Sequence, residues 1–155
     1  MQYNYNHIFL ENRQISNTFA IRWSCFTAMV IGIAWIFTLF HIISVPALAF
    51  QIIAPVSIFI LLLPAVVNHL MHLSDILLVG SKGINLLTGL ILGCNLTAVF
   101  LLSSTLSHYA SIIWLLSTLI ACQYYSKRIT SHIFLGGFVG MILSFYVSIY
   151  LGIED

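Results

Sequence analysis

From Trp23 to Ile43 the chain runs without a charged side chain. At 1.5 Å per residue, about 21 residues cross a ~30 Å hydrocarbon core as a single helix. Four more apolar runs follow: Ala47 to Val67, Ile84 to Leu102, a shorter one from Tyr109 to Tyr125, and Ile133 to Leu151. They are continuous rather than alternating, which excludes the strands of an outer-membrane barrel. The stretch Ser44, Val45, Pro46 is too short to hold a domain, so the first two runs form an antiparallel hairpin. The predicted fold is therefore all-α, a polytopic transmembrane helical bundle with five spans, in one domain covering residues 1–155. Its composition excludes the alternative of a water-soluble domain. Charged residues make up 6% of the chain and mean hydropathy is +1.07, whereas a soluble surface of this size needs roughly a quarter of its residues charged.

The five basic residues predict an orientation, because Lys and Arg stay on the cytoplasmic side of a span. Arg13 and Arg22 precede the first span, Lys82 lies between the second and third, and Lys127 and Arg128 lie between the fourth and fifth. The opposite connections, Ser44 to Pro46 and Ser103 to His108, carry neither Lys nor Arg. The N-terminus is thus expected inside and the acidic C-terminus, Gly152 to Asp155, outside. The polar segment Met1 to Asn17 lacks the basic start and short apolar core of a cleavable signal peptide. Cys25, Cys94 and Cys122 fall within spans and offer no CxxC pair or disulfide framework, and read as small apolar fillers. Five basic residues divided among three connections make no basic stripe, so nucleic acid is not an expected partner. The lipid bilayer and other membrane subunits are. The membrane is the cytoplasmic (inner) one if the chain is bacterial, an endomembrane if it is eukaryotic.

Chemistry-bearing residues are few. In Asn68 to Lys82, the residues His69, His72 and Asp75 recur every three positions, along one turning helical face that a divalent metal could use. The same stretch also reads as an interfacial amphipathic helix with Leu70, Leu73, Ile76 and Leu77 dipping into lipid. Bis-imidazole haem ligation needs two histidines at matched depth on neighbouring helices. His41 with His108 near the outer surface, and His69 or His72 with His132 near the inner one, are the pairs the topology offers. None of them is deep within a span, and no cofactor is predicted from them. Asn85 and Asn95 are the polar residues best placed for a transport path, with Thr88, Thr97, Gln51, Ser144 and Ser148 as weaker markers. No Asp, Glu, Lys or Arg stands near a midplane, which argues against a charge-relay pump.

Two GxxxG patterns, Gly89 with Gly93 and Gly136 with Gly140, permit close helix approach where lipid supplies no hydrophobic drive, so the third and fifth spans are expected to touch. Pro55 and Pro64 are expected to kink the second span and free the carbonyls of Gln51 and Ile60. Hydrolase elbows, phosphate loops, paired protease aspartates and desaturase His boxes are absent, which lowers the enzyme reading.

The segment from Leu77 to Cys94, a Gly-containing turn leading into a helix with Leu92-Gly93, resembles the corresponding segment of Yip-domain membrane proteins, and the likeness extends over about Ala47 to Leu151 in layout. The family usually has Tyr at the position of Cys94 and a Pro shortly after, both missing here. The resemblance implies five spans, a cytosolic N-terminus, a short C-terminus on the far side, trafficking or scaffold roles, and no catalytic residues. The expected function is that of a small non-enzymatic scaffold or subunit of a larger membrane complex. A transporter or channel component is the second reading, a haem-binding electron carrier the third.

Overall fold

A computed structural model of the protein describes residues 2–42, 47–73, 81–106, 110–124 and 126–150. These form five helices: α1 (Gln2–Leu39), α2 (Ala47–Leu73), α3 (Ser81–Leu106), α4 (Ala110–Cys122) and α5 (Lys127–Tyr150). Four are long and apolar enough to cross a membrane, over Leu10–Leu39, Ala49–His72, Lys82–Thr105 and Ile129–Val147. The 13 residues of α4 cover about 20 Å, well short of a ~30 Å core.

Several boundaries differ from the expected ones, and α2 runs on to Leu73, past Val67. α1 begins at Gln2, so the polar segment is helical and continuous with the first span. Asn and Ser are poor helix formers when isolated; at the end of this segment Ser16 and Asn17 are held by hydrogen bonds to the α4–α5 turn and to α3. α3 runs on to Leu106, which puts Ser103, Ser104 and Thr105 inside the helix and buried, where an outer connection was expected. α5 starts at Lys127, ahead of Ile133. α2 passes through both Pro55 and Pro64. The expected turn at Ser44 to Pro46 lies outside the described residues.

Cross-helix contacts fix the directions. Asn17 meets Thr88 and Ser24 meets Asn95, both at a separation of 71 residues, so α1 and α3 run parallel. Leu96 lies against the position a Gly136 Cβ would take, Phe100 against that of Gly140, and Ser103 bonds Ser144, so α5 is parallel to α3 as well. α2 runs the other way. Its Met71 packs with Ala20 and Ile21 of α1, whereas Phe50, Ala54 and Leu61 pack with Ala28, Ile31, Ala98 and Leu102. All five basic residues consequently lie toward one end of the bundle.

The α1/α3 seam has a strict heptad spacing. Buried positions are Asn17, Ile21, Ser24, Ala28, Ile31 and Thr38 on α1, and Ile84, Thr88, Ile91, Asn95, Ala98, Leu102 and Thr105 on α3. Steps of four and three, with one of seven from Ile31 to Thr38, keep one stripe of each helix facing the other. Small residues at Ala20, Ala28, Ala54 and Ala98 let the backbones approach, the means of association expected where lipid is as apolar as the core.

α1 ends in a Schellman cap. The His41 amide donates to the Thr38 carbonyl (3.1 Å) and the Ile42 amide to that of Phe37 (3.0 Å), with His41 in the left-handed region at φ 56°. This position usually takes Gly.

Candidate functional site: a buried polar hub and an open glycine face

Near the basic end, α1, α3 and the turn after α4 converge on Asn17, which is 2% exposed. Its amide nitrogen donates to the Ile84 carbonyl (3.3 Å). Its oxygen accepts from Thr88 Oγ1 (3.0 Å) and from the Tyr124 hydroxyl (2.9 Å). The single Thr88 hydroxyl proton is shared between Asn17 Oδ1 and the Ile84 carbonyl (2.8 Å), so each of these polar atoms has a partner. One residue away, Ser16 Oγ reaches the Gln123 carbonyl (3.0 Å), and Arg13 donates to Asn85 Oδ1. Two turns further along the seam Asn95 donates to Ser24 Oγ (2.9 Å) and to the Ile91 carbonyl (2.8 Å). Further still, Ser103 donates to Ser144 Oγ (2.7 Å), tying α3 to α5.

This arrangement is a set of interhelical clamps. A buried amide without a partner costs several kcal/mol in hydrocarbon, and each of these is spent on a neighbouring helix. Of the two residues expected to line a path, Asn95 is 6% exposed and locked to Ser24, while Asn85 is exposed and engaged by Arg13. The sequence signal that identifies the hub is the shared spacing of seven: Asn17 and Ser24 on one helix, Thr88 and Asn95 on the other. Tyr124 had no such signal, since only the turn after α4 brings it to Asn17. Among the described residues, two buried polar atoms, Trp35 Nε1 and Ser57 Oγ, have no partner.

The glycine patterns separate into two roles. A Cβ at Gly136 would lie 3.3 Å from Leu96 Cδ2, and one at Gly140 3.8 Å from Phe100, so the α5 pair forms the contact with α3. Gly89 and Gly93 are exposed, and among the described residues a Cβ at either would meet nothing within 4 Å. The third and fifth spans do touch, yet the two motifs do not face each other. With α5 shifted by 40 residues relative to α3, Gly136 is level with Leu96, two turns beyond Gly89, about 10 Å along the axis.

The histidines are spread apart. His41 caps α1 at the end away from the basic residues, and His108 lies outside the described residues. His69 and His72 are exposed on the last turns of α2, and His132 is exposed on α5. α2 packs on the Leu87, Ile91, Ala98 side of α3 and α5 on its Leu96, Phe100 side, so α3 stands between His69 or His72 and His132. Asp75 lies outside the described residues, and among the described ones no group of three or more His, Cys, Asp or Glu gathers for a metal. Cys25, Cys94 and Cys122 are free thiols.

These features define an integral membrane helical bundle stabilised by buried polar clamps. No family model, curated protein or solved structure matches the chain. Of the segment Leu77 to Cys94, residues 77–80 lie outside the described ones and Ser81 to Cys94 form the start of α3.

Proposed function

We propose that the protein is a non-enzymatic subunit or scaffold that works by packing α3 against a helix of another membrane protein. The observation that carries this reading is the Gly89–Gly93 face. It is open on a helix whose other stripes are occupied by α1, α2, α4 and α5, and smooth enough for a second backbone to approach closely. The clamps favour packing over transport, because Asn95 uses its amide within the bundle.

The proposed topology has five crossings, the fourth of them short, with the N-terminus inside and the C-terminus outside. Helix register supports it. Arg22 of α1, Asn68 of α2 and His132 of α5 fall at a common height, beside an aromatic cluster in which Trp23 stacks on Phe19 at 6.3 Å and meets Phe26 in a tilted contact at 5.6 Å. Aromatic belts of this kind mark the membrane interface. From Trp23 to the end of α1 at Leu39 is about 26 Å of helix, close to one hydrocarbon thickness. All five basic residues lie at or below the boundary.

The test is purification in mild detergent from the native membrane, wild type beside a Gly89→Ile/Gly93→Ile variant, with mass spectrometry of bound proteins. Stoichiometric partners lost in the variant are expected; partners retained undiminished, or none with the wild type, would overturn the reading. An absorption spectrum of the same wild-type sample tests haem binding directly, since a Soret band would assign the histidines to a cofactor.

A further inference from the structure

We infer that a single buried water molecule joins α1, α2 and α3 inside the membrane, held by Trp35 Nε1, Ser57 Oγ and Thr105 Oγ1. Ser57 is 0% exposed. Among the described residues its hydroxyl and the buried indole nitrogen of Trp35 are the two buried side-chain atoms with no hydrogen-bond partner. The buried hydroxyls of Ser24, Thr38, Thr88, Ser103, Ser104 and Thr105 each donate to a carbonyl one turn back on their own helix. Ser57 makes no such bond. A polar group left bare in hydrocarbon costs several kcal/mol, so two at one junction call for a shared ligand.

Helix register brings the three side chains to one level. α2 is antiparallel to α1, with Met71 beside Ala20 and Ile21 and Ile58 against Gly32, which sets Ser57 level with Ile33 and Ala34. The Trp35 side chain leans back toward the start of its helix, onto that level. α3 is parallel to α1 with a shift of 71 residues, which sets Thr105 level with Ala34. Each of the three lies on a stripe that faces the other two helices. Trp35 fills the heptad place between Ile31 and Thr38 and packs on the cluster of Ala54, Leu61 and Leu102; Ser57 lies between Ala54 and Leu61, and Thr105 one turn beyond Leu102. Thr105 donates to the Leu102 carbonyl (3.0 Å), so its oxygen keeps a lone pair for another donor. Polar groups that are level but make no direct bond are spaced for a bridging water. Such a water accepts the indole proton, bonds the Ser57 hydroxyl and donates to Thr105, the three bonds usual for a buried water. The chemistry excludes other occupants. An apolar molecule would leave both groups bare, and an ion would find no counter-charge, since the chain has no charged residue between Arg22 and Asp75.

Two readouts test the water. A crystal structure of the full chain grown from a lipid mesophase, at a resolution that shows ordered water, is expected to place density within hydrogen-bond distance of all three side chains. A dry junction, or a Ser57 hydroxyl turned back to donate to the Ile53 carbonyl, would overturn the proposal. Unfolding of Ser57→Ala, Trp35→Phe and the double variant in mixed micelles measures their coupling, in which the helix propensity gained by alanine and the ring volume lost by phenylalanine cancel. Through a shared water, Ser57→Ala should weaken folding about fivefold more in the wild-type background than in Trp35→Phe, the equivalent of one hydrogen bond. Equal effects in the two backgrounds would show that the two groups share no ligand and would overturn the proposal as well.

Discussion

Replacing Asn17 by Ala tests whether the hub holds the bundle together. The substitution deletes three hydrogen bonds, to the Ile84 carbonyl, Thr88 and Tyr124. Interhelical bonds of this kind average about 0.6 kcal/mol in membrane bundles and reach about 1.7, so the three together contribute about 2 kcal/mol. The consequences for the partners differ. Thr88 keeps the Ile84 carbonyl at 2.8 Å and remains satisfied, whereas the buried Tyr124 hydroxyl loses its acceptor, which adds about 1 kcal/mol. Asn17→Ala should therefore destabilise the bundle by about 3 kcal/mol. Tyr124→Phe removes both the donor and its need for a partner and should cost only about 0.6 kcal/mol. In the double variant the orphaned hydroxyl is absent, so the two changes should be coupled by about 1–1.5 kcal/mol. Unfolding by a denaturing detergent in mixed micelles, followed by tryptophan fluorescence, measures all three. An Asn17→Ala effect below about 0.5 kcal/mol, or simple additivity with Tyr124→Phe, would refute the hub as a stabilising unit.

Other expectations follow from the same geometry. Gly136→Ile should destabilise by about 1–3 kcal/mol through overpacking against Leu96, while Gly89→Ile should leave stability unchanged or raise it by up to about 0.5 kcal/mol from helix propensity; the same unfolding assay compares them. His41→Gly should raise stability by about 1 kcal/mol, because glycine takes the left-handed cap without steric cost, and a lower unfolding midpoint would contradict the cap assignment. For topology, cysteines placed at His41 and at Lys82 in a background lacking Cys25, Cys94 and Cys122 should react with a membrane-impermeant maleimide from opposite sides in intact vesicles. Labelling of both from one side would sink the proposed orientation.

The helical membrane class was legible because sparse charges leave apolar runs of the right length, and the five runs correspond to five helices. Boundaries were less legible, for a physical reason. Hydropathy registers where the lipid begins, but Arg13, Ser16, Asn17 and Ser103 find their partners on neighbouring helices and turns, and that information resides in tertiary pairing. The same holds for the site. Asn95 is conspicuous as a polar residue in a span, yet its partner Ser24 is ordinary until the heptad spacing of α1 is laid beside that of α3. The glycine patterns were visible as motifs, whereas their division into an inner pair and an open pair depends on a register of 40 residues that no local signal encodes.

Photocrosslinking in the native membrane tests the central claim most directly. A photoreactive side chain at Leu86, which is 62% exposed and flanks Gly89, is compared with one at Phe59, 70% exposed on α2. Packing through the open glycine face predicts a discrete protein adduct from position 86 and only lipid adducts from position 59. Lipid adducts alone at both positions would contradict it.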